Sequence, residues 1–246
     1  TMGFAPDAEF PLIYAEKGLL QAHLIGPGTT EFSLRAGGAL NVVPDRASYA
    51  SNQLSKVQQA LDAHGFSYEK LENGLLVHGK SVHAKDAPEG INAVSRLAIA
   101  LSDVFDFPPL SFLGKLVGEN ATGKNVVGKT EDEASGELSM NFAELVITEE
   151  ATKIGLDMRI PVTVNKDELV KKLSNKAAQY QLEYKEFDWL APLYVPLESE
   201  LVSTLLNTYR DCTNDMTEPM VSGGATFART MKNCVAFGAM FPDSPD

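Results

Sequence analysis

The stretch Gly79-Lys80-Ser81-Val82-His83-Ala84-Lys85-Asp86-Ala87-Pro88-Glu89-Gly90-Ile91-Asn92-Ala93 places one histidine on a short loop between two kinds of structure. Before it, Leu75-Leu76-Val77-His78 is a short apolar run with strand character. After it, Ala93, Leu97, Ala100, Leu101 and Val104 recur at helical spacing, so residues 92–104 read as a helix. Small residues flank His83, and glycines and a proline punctuate the loop, which leaves the imidazole room to reach a ligand. The plainer reading is a loop histidine bonded to nearby backbone.

Working outward, residues 17–25 and 30–36 read as strands around the turn Gly26-Pro27-Gly28, and residues 45–50 as a further strand. Ser51 or Asn52 can cap a helix that runs to about Ala63 and ends at Gly65, with Leu54, Val57, Ala60 and Leu61 as its apolar stripe. Two strands then meet at Asn73-Gly74, a dipeptide that favours a tight hairpin. Beyond the histidine loop, Asp106-Phe107-Pro108-Pro109 breaks the chain, and Leu110, Leu113, Leu116 and Val117 suggest a short helix. Residues 129–136 are polar and acidic and read as a solvated loop. Residues 137–149 and 152–164 read as paired strands with a turn near Glu149-Glu150. Asn165 can cap a helix over 166–180, with Leu169, Leu173, Ala177 and Tyr180 inward; 182–187 is a strand. The pattern is α+β, with the order of strand pairs and helices appearing roughly twice, in 17–105 and 137–187. The texture changes near residues 14–16 and 192–196, where domain junctions are expected. A helix over about 198–209 and the apolar run 234–240 follow.

Hydrophobic residues at 44% and charged residues at 22% fit a globular, soluble chain, and 246 residues suffice for one large domain or two ordinary ones. No apolar run approaches the ~18 residues of a membrane span, so no membrane partner is expected. Acidic residues outnumber basic ones 33 to 21, and a net charge of −12 repels phosphate backbones, which argues against nucleic acid. Cys212 and Cys234 are too few for a disulfide framework and are expected as buried, reduced thiols, as suits the cytoplasm. The opening Thr1-Met2-Gly3-Phe4 has no signal-peptide features and reads as mid-protein sequence.

Residues 79–84 and 88–93 resemble the lid-domain signature of the di-zinc peptidase family that includes aminoacylases, carnosinases and carboxypeptidase G. Three more segments resemble the same family in the same order. They are Gly3-Phe4-Ala5-Pro6-Asp7-Ala8-Glu9-Phe10-Pro11, Gly37-Gly38-Ala39-Leu40-Asn41-Val42-Val43-Pro44-Asp45 and Gly223-Gly224-Ala225-Thr226-Phe227-Ala228-Arg229-Thr230. The first and last look most like the bacterial dipeptidase V subgroup. The resemblance implies a two-part lid of antiparallel sheets and helices (ferredoxin-like halves) over residues 16–193. Incomplete parts of an α/β zinc-peptidase catalytic domain, residues 1–15 and 194–246, would flank it. In dimeric relatives the lid histidine serves the neighbouring subunit; in this arrangement the second half of the lid takes the partner's place, which implies a monomer.

Four residues carry the implied chemistry. Asp7 by itself reads as a turn residue; the resemblance makes it a ligand to one ion of a metal pair, a role that carboxylate oxygen fills well. His83 resembles the lid histidine whose N–H steadies the developing oxyanion on the attacked carbonyl. Asn41 reads either as an Asx-type turn residue or, by resemblance, as a substrate contact whose amide both donates and accepts. Arg159 shares a strand face with Asp157 and can simply pair with it at the surface. The resemblance makes it the residue that holds the substrate's free carboxylate, which a guanidinium fork matches. Arg229 receives no role, and His23, His64 and His78 read as structural or exposed.

The family's centre holds two divalent metal ions (zinc, manganese or cobalt) on further ligands and uses a Glu as base. A His-x-Asp motif, a Glu-Glu pair in a suitable context and a final histidine do not occur here. The chain therefore reads as a fragment, inactive alone, of a cytoplasmic metallodipeptidase acting on dipeptides or short peptides. The alternatives are an N-acyl amino acid deacylase with the same machinery and a stand-alone interaction or dimerisation module.

Overall fold

Strand Gly18–Pro27 organises the molecule because its alternating Leu20, Ala22 and Leu24 are completely buried on one face. In the computed structural model, which describes residues 2–241, this strand lies inside a five-stranded antiparallel sheet. The order across that sheet is Glu183–Leu190, Gly18–Pro27, Ala151–Ile160, Ser139–Ile147 and Leu34–Gly37. Gly18–Pro27 and Ala151–Ile160 pair without interruption from Gly18 opposite Ile160 to Pro27 opposite Ala151. A second antiparallel sheet joins Arg46–Tyr49, Gly74–His78 and Tyr68–Leu71, the last two forming the hairpin at Asn73-Gly74. Helices Leu54–His64, Ala93–Val104 and Lys166–Ala178 cover the inner faces, and one continuous apolar core unites them with both sheets.

Local chemistry accounts for the helix ends. Asn92 and Asn165 each accept a hydrogen bond from the backbone N–H three residues on, at 3.0 and 3.1 Å, as N-caps should. Gly65 takes the left-handed conformation, φ 67°, that terminates Leu54–His64. The start of that helix differs from expectation. Ser51 Oγ accepts from Ser33 N–H and the Asn52 amide donates to Glu31 O, so both side chains are spent on a neighbouring turn and Gln53 occupies the cap position. The short helical piece after Pro108 tightens into a helical turn at Pro108–Ser111 and then widens into a π-turn over Phe112–Val117. Residues 129–136 are more ordered than a solvated loop, since Glu131–Asp132 pairs with Gly136–Glu137 in a small hairpin.

The two stretches 17–105 and 137–187 do not keep to separate sheets. Gly18–Pro27 belongs to the first and pairs on both sides with strands of the second, Ala151–Ile160 and Glu183–Leu190, of ten and eight residues against its own ten.

Residues near both chain ends build a smaller, mixed sheet. Gly3–Ala5 runs parallel to Cys234–Ala236, which pairs with Ile13–Glu16; Leu193–Tyr194 and Met220–Ser222 also pair with Ile13–Glu16. Helix Glu200–Thr213 packs here, and Leu12, Val202, Cys234, Val235 and their neighbours form a second apolar core. Cys212 is exposed rather than buried: it sits in the last helical turn, past Tyr209, where the buried stripe has ended. Cys234 is buried in the small sheet. Among the described residues no helix is long and apolar enough to cross a membrane.

The chain passes between the two bodies at Glu16-Lys17-Gly18. Glu16 is completely buried. Its carboxylate accepts from Thr226 N–H at 3.1 Å, from the Thr226 hydroxyl and from Arg229 Nε at 2.9 Å. Arg229 donates onward to Gly224 O, Lys17 O and Ala191 O. Removing one partner of a buried ion pair leaves the other charge uncompensated, which costs about 3–5 kcal/mol. Glu16→Ala should therefore lower the unfolding free energy by about that amount, measured by urea titration; a loss below about 1 kcal/mol, the scale of an exposed pair, would contradict the arrangement.

Candidate functional site

Three of the four sequence-predicted residues, Asn41, His83 and Arg159, lie on or over the face of the five-stranded sheet that points away from the helices. Alternation sends Leu156, Met158 and Ile160 into the apolar core and leaves Asp157 and Arg159 on the other face. On the neighbouring strand Asn141 stands opposite Asp157 and Ser139 opposite Arg159, while Gln21 flanks Asp157 from the third strand. All but Gln21 are buried, so each polar group needs a partner inside the protein. The partners are loops laid over the sheet.

The first loop follows Leu34–Gly37. Gly37 has φ +80°, and a Cβ there would come within 1.8 Å of Ala143 O. Only glycine permits that approach, and it lets Gly38 N–H donate to Ala143 O at 3.1 Å, at the bulge that interrupts pairing between Phe142 and Glu144. Asn41 lies at the exposed crest of this loop, and its side-chain amide has no hydrogen-bond partner among the described residues. The turn role open to it in the sequence is thus not made by its side chain.

The second loop carries His83. It is closed on itself by paired Lys80–Ile91 backbone bonds of 2.8 and 3.0 Å. It is also bridged to the first loop: Val43 N–H donates to Val82 O at 2.9 Å and Ala84 N–H to Asn41 O at 2.8 Å. His83 caps a short 3₁₀ turn, Ala84–Glu89, by accepting the Lys85 N–H on Nδ1 at 3.1 Å. The backbone-bonded reading of this histidine is therefore realised, and it has a chemical consequence. An Nδ1 that accepts carries no proton, so the neutral ring holds its proton on Nε2 as an outward donor. Partial burial, then the charges of Arg159 and Lys85, hold the imidazole below its ordinary 6.5, against opposing pulls from Asp157 and Asp86.

Arg159 pairs with Asp157, as its shared strand face suggested, but the pair is buried rather than superficial: Arg159 is 2% exposed and Asp157 0%. Nε and Nη2 donate to the two Asp157 oxygens at 2.6 and 3.1 Å, and Gln21 supports Asp157 Oδ2 at 2.8 Å. Nη1 donates to Gly223 O at 2.8 Å. Three of the five guanidinium N–H groups are thus engaged, leaving two. The Gly223 loop is the third loop over the sheet. It lies so close that a Cβ at Gly223 would meet Lys85 Cβ at 2.6 Å.

Asp7 stands apart from these three. It is exposed on the small-sheet body, where its Oδ2 accepts Phe227 N–H at 2.9 Å, at the far end of the same Gly223–Phe227 segment. Its other oxygen is available as one ligand. Among the described residues no group of three or more His, Cys, Asp or Glu is arranged to hold a metal ion. Asp7 alone does not make a di-metal centre.

Sequence reasoning missed Ser139, Asn141, Gln21, Glu16 and Arg229. Ser139 and Asn141 did leave a trace, as two polar residues alternating with Met140 and Phe142 at the start of a largely apolar strand.

No protein-family model matches the chain. Proteins named "Putative dipeptidase" from Staphylococcus aureus strains USA300 and NCTC 8325 are each 31% identical to it over 273 residues, covering 100% of this chain and 58% of theirs. The chain thus spans less than two thirds of the length of these relatives. Among solved structures, the aminoacylhistidine dipeptidase of Vibrio alginolyticus superposes with a TM-score of 0.51 at 12% identity, covering 95% of this chain and 57% of that one. At that identity the likeness is one of fold.

The histidine geometry is directly measurable. A depressed folded value means that the folded chain binds the His83 proton less readily than the unfolded chain does. Partial burial and the charges of Arg159 and Lys85 thus favour the folded chain fully above pH 6.5, an advantage lost as pH falls through the folded value. Imidazole ¹⁵N NMR should show His83 as the Nε2–H tautomer titrating below 6.5, with Lys85 N–H exchange quickening as it protonates. An Nδ1–H tautomer, or a midpoint above 6.5, would refute this.

Proposed function

We propose that this chain is the substrate-gripping part of a metal-dependent dipeptidase. The observation that carries the reading is the backbone pairing of Val42 with His83, which ties the loop of Asn41 to the loop of His83. It holds an exposed, unbonded amide and an Nε2–H donor on two joined loops, the imidazole lying within the field of Arg159. The 31% identity along the whole chain to proteins named as dipeptidases supports it.

In this reading residues 16–193 form the lid, while 1–15 and 194–246 belong to a catalytic domain; the two separate apolar cores support that division. Asn41 binds one end of the dipeptide. Arg159 takes its free carboxylate on the guanidinium N–H groups not held by Asp157, as the carboxylate displaces Gly223 O. Anchoring both ends restricts the substrate to short peptides. The His83 Nε2–H donates to the carbonyl oxygen as it becomes an oxyanion, a bond that strengthens toward the tetrahedral state and so lowers the barrier. A neutral donor suits this step because it gives no strong ground-state pull on the substrate. Two divalent ions would activate the attacking water. Asp7 would supply one ligand, with the general base and remaining ligands outside the described residues. The reading makes the whole protein a cytoplasmic monomer and the isolated chain inactive. Deacylation of N-acyl amino acids remains the rival for the same groups, and a panel of dipeptides and N-acyl amino acids on the longer protein separates them.

Removing one oxyanion donor typically costs a hundred- to a thousandfold in turnover. In the longer protein, His83→Ala should lower kcat by about that factor with little change in KM. Unchanged turnover would remove His83 from the reaction. Arg159→Lys replaces a fork with a point charge and should raise KM markedly for dipeptides. It should have little effect on substrates whose carboxyl end is blocked; equal effects on both would show that Arg159 does not read the carboxylate.

A further inference from the structure

We propose that Asn141, together with Ser139, is a positioning residue that locks Asn41 and His83 into one unit. This rests on reading those two as the substrate-facing pair. Asn141 is 1% exposed, on the sheet face beneath both loops. Its amide donates to Leu40 O at 3.0 Å and to Val42 O at 2.9 Å, the two carbonyls that flank Asn41 in the chain. Both donors of the amide are therefore spent on one residue's neighbours, and the crest of the loop is clamped on each side.

The acceptor side leads to the other loop. Asn141 Oδ1 receives Asn92 Nδ2 at 3.2 Å, and Asn92 also donates to Phe142 O at 2.8 Å while capping the helix that follows the His83 loop. Two places along the strand, on the same face, the Ser139 hydroxyl donates to Ala84 O, the carbonyl next to His83. Two adjacent side chains of one strand thus grip the backbone immediately beside each of the two substrate-facing residues. The loops are also bonded to each other, so release of one grip loosens both. An apolar side chain of similar volume at 141 would fill the space and take away a partner from Leu40 O, Val42 O and the Asn92 amide.

Hydrogen–deuterium exchange on the 246-residue chain tests the clamp without any assay of catalysis. In Asn141→Leu, segments 39–44 and 80–86 should exchange about tenfold faster or more. The hairpin Tyr68–His78 and helix Lys166–Ala178 should keep their rates. Ser139→Ala, a smaller change, should loosen 80–86 more than 39–44 and serves as the readout should the leucine variant fail to fold. Unchanged rates at both loops in a folded variant, or a uniform rise across the chain, would overturn the proposal. In the longer protein, Asn141→Leu should lower kcat, and the double variant with His83→Ala should lose less than the product of the two separate losses. Fully additive losses would also overturn it. Loosened loops beside a His83→Ala variant of normal activity would instead count against the functional reading and leave the clamp standing.

Discussion

A carboxylate with no access to water fixes how the two bodies of this protein meet. Glu16 is 0% exposed, one residue from the point where the chain leaves the small mixed sheet for the large antiparallel one. A buried charge is tolerated only when other groups replace its hydration. Here the replacements are the backbone N–H and hydroxyl of Thr226 and the guanidinium of Arg229. All come from one short segment. Satisfying Glu16 therefore dictates the course of residues 223–229, and that course presents Gly223 O to Arg159 and Phe227 N–H to Asp7. The elements that would touch substrate and metal are set by one electrostatic demand at the junction.

The large sheet meets a second demand on its outer face. Its inner face is closed by aliphatic packing, which is non-directional and fixes no loop. The outer face is closed by Asn141, Ser139, Asp157 and Arg159, whose hydrogen bonds are directional and cannot be left unmade. Each therefore selects a particular carbonyl or carboxylate and with it a particular loop path. A sheet covered on that face by alkyl groups would be at least as stable but would not specify where Asn41 and His83 stand. Specificity of placement, rather than stability, is what the buried polar row contributes.

Features with a local cause could be read from the sequence. The caps Asn92 and Asn165, the turn at Asn73-Gly74, the terminating Gly65 and the burial of Leu169, Leu173 and Ala177 each follow from a few neighbouring residues. Alternation along 156–160 also set Asp157 beside Arg159 correctly. What could not be read depends on partners distant in the chain. Nothing near Gly18–Pro27 says that it pairs with Ala151–Ile160, 136 residues away at the Gln21–Asp157 contact. Nothing near Arg159 says that Gly223 will close over it, so a buried ion pair was read as a superficial one. Ser51 and Asn52 are good caps in isolation, and only the turn at residues 31–33 diverts them. Ser139 and Asn141 were visible as polar residues in an apolar strand, but their purpose lies in loops about 50 to 100 residues earlier.

The three loops over the sheet are not held alike. Those of Asn41 and His83 are tied to each other by backbone bonds and to the sheet by Asn141 and Ser139. The Gly223 loop answers chiefly to its own body through Glu16 and Arg229, and meets the large sheet through the Arg159–Gly223 bond. In the proposed function a carboxylate arriving at Arg159 would compete with that one neutral carbonyl. A carboxylate can accept two parallel guanidinium N–H bonds where the carbonyl accepts one, so in the proposed function the exchange would favour the ligand. Asp157, with both oxygens fixed by Arg159 and Gln21, keeps the guanidinium from following the ligand outward. In the proposed function, binding at Arg159 would thereby be coupled to release of a contact between the two bodies, while the Asn41 and His83 loops stay where the sheet has put them.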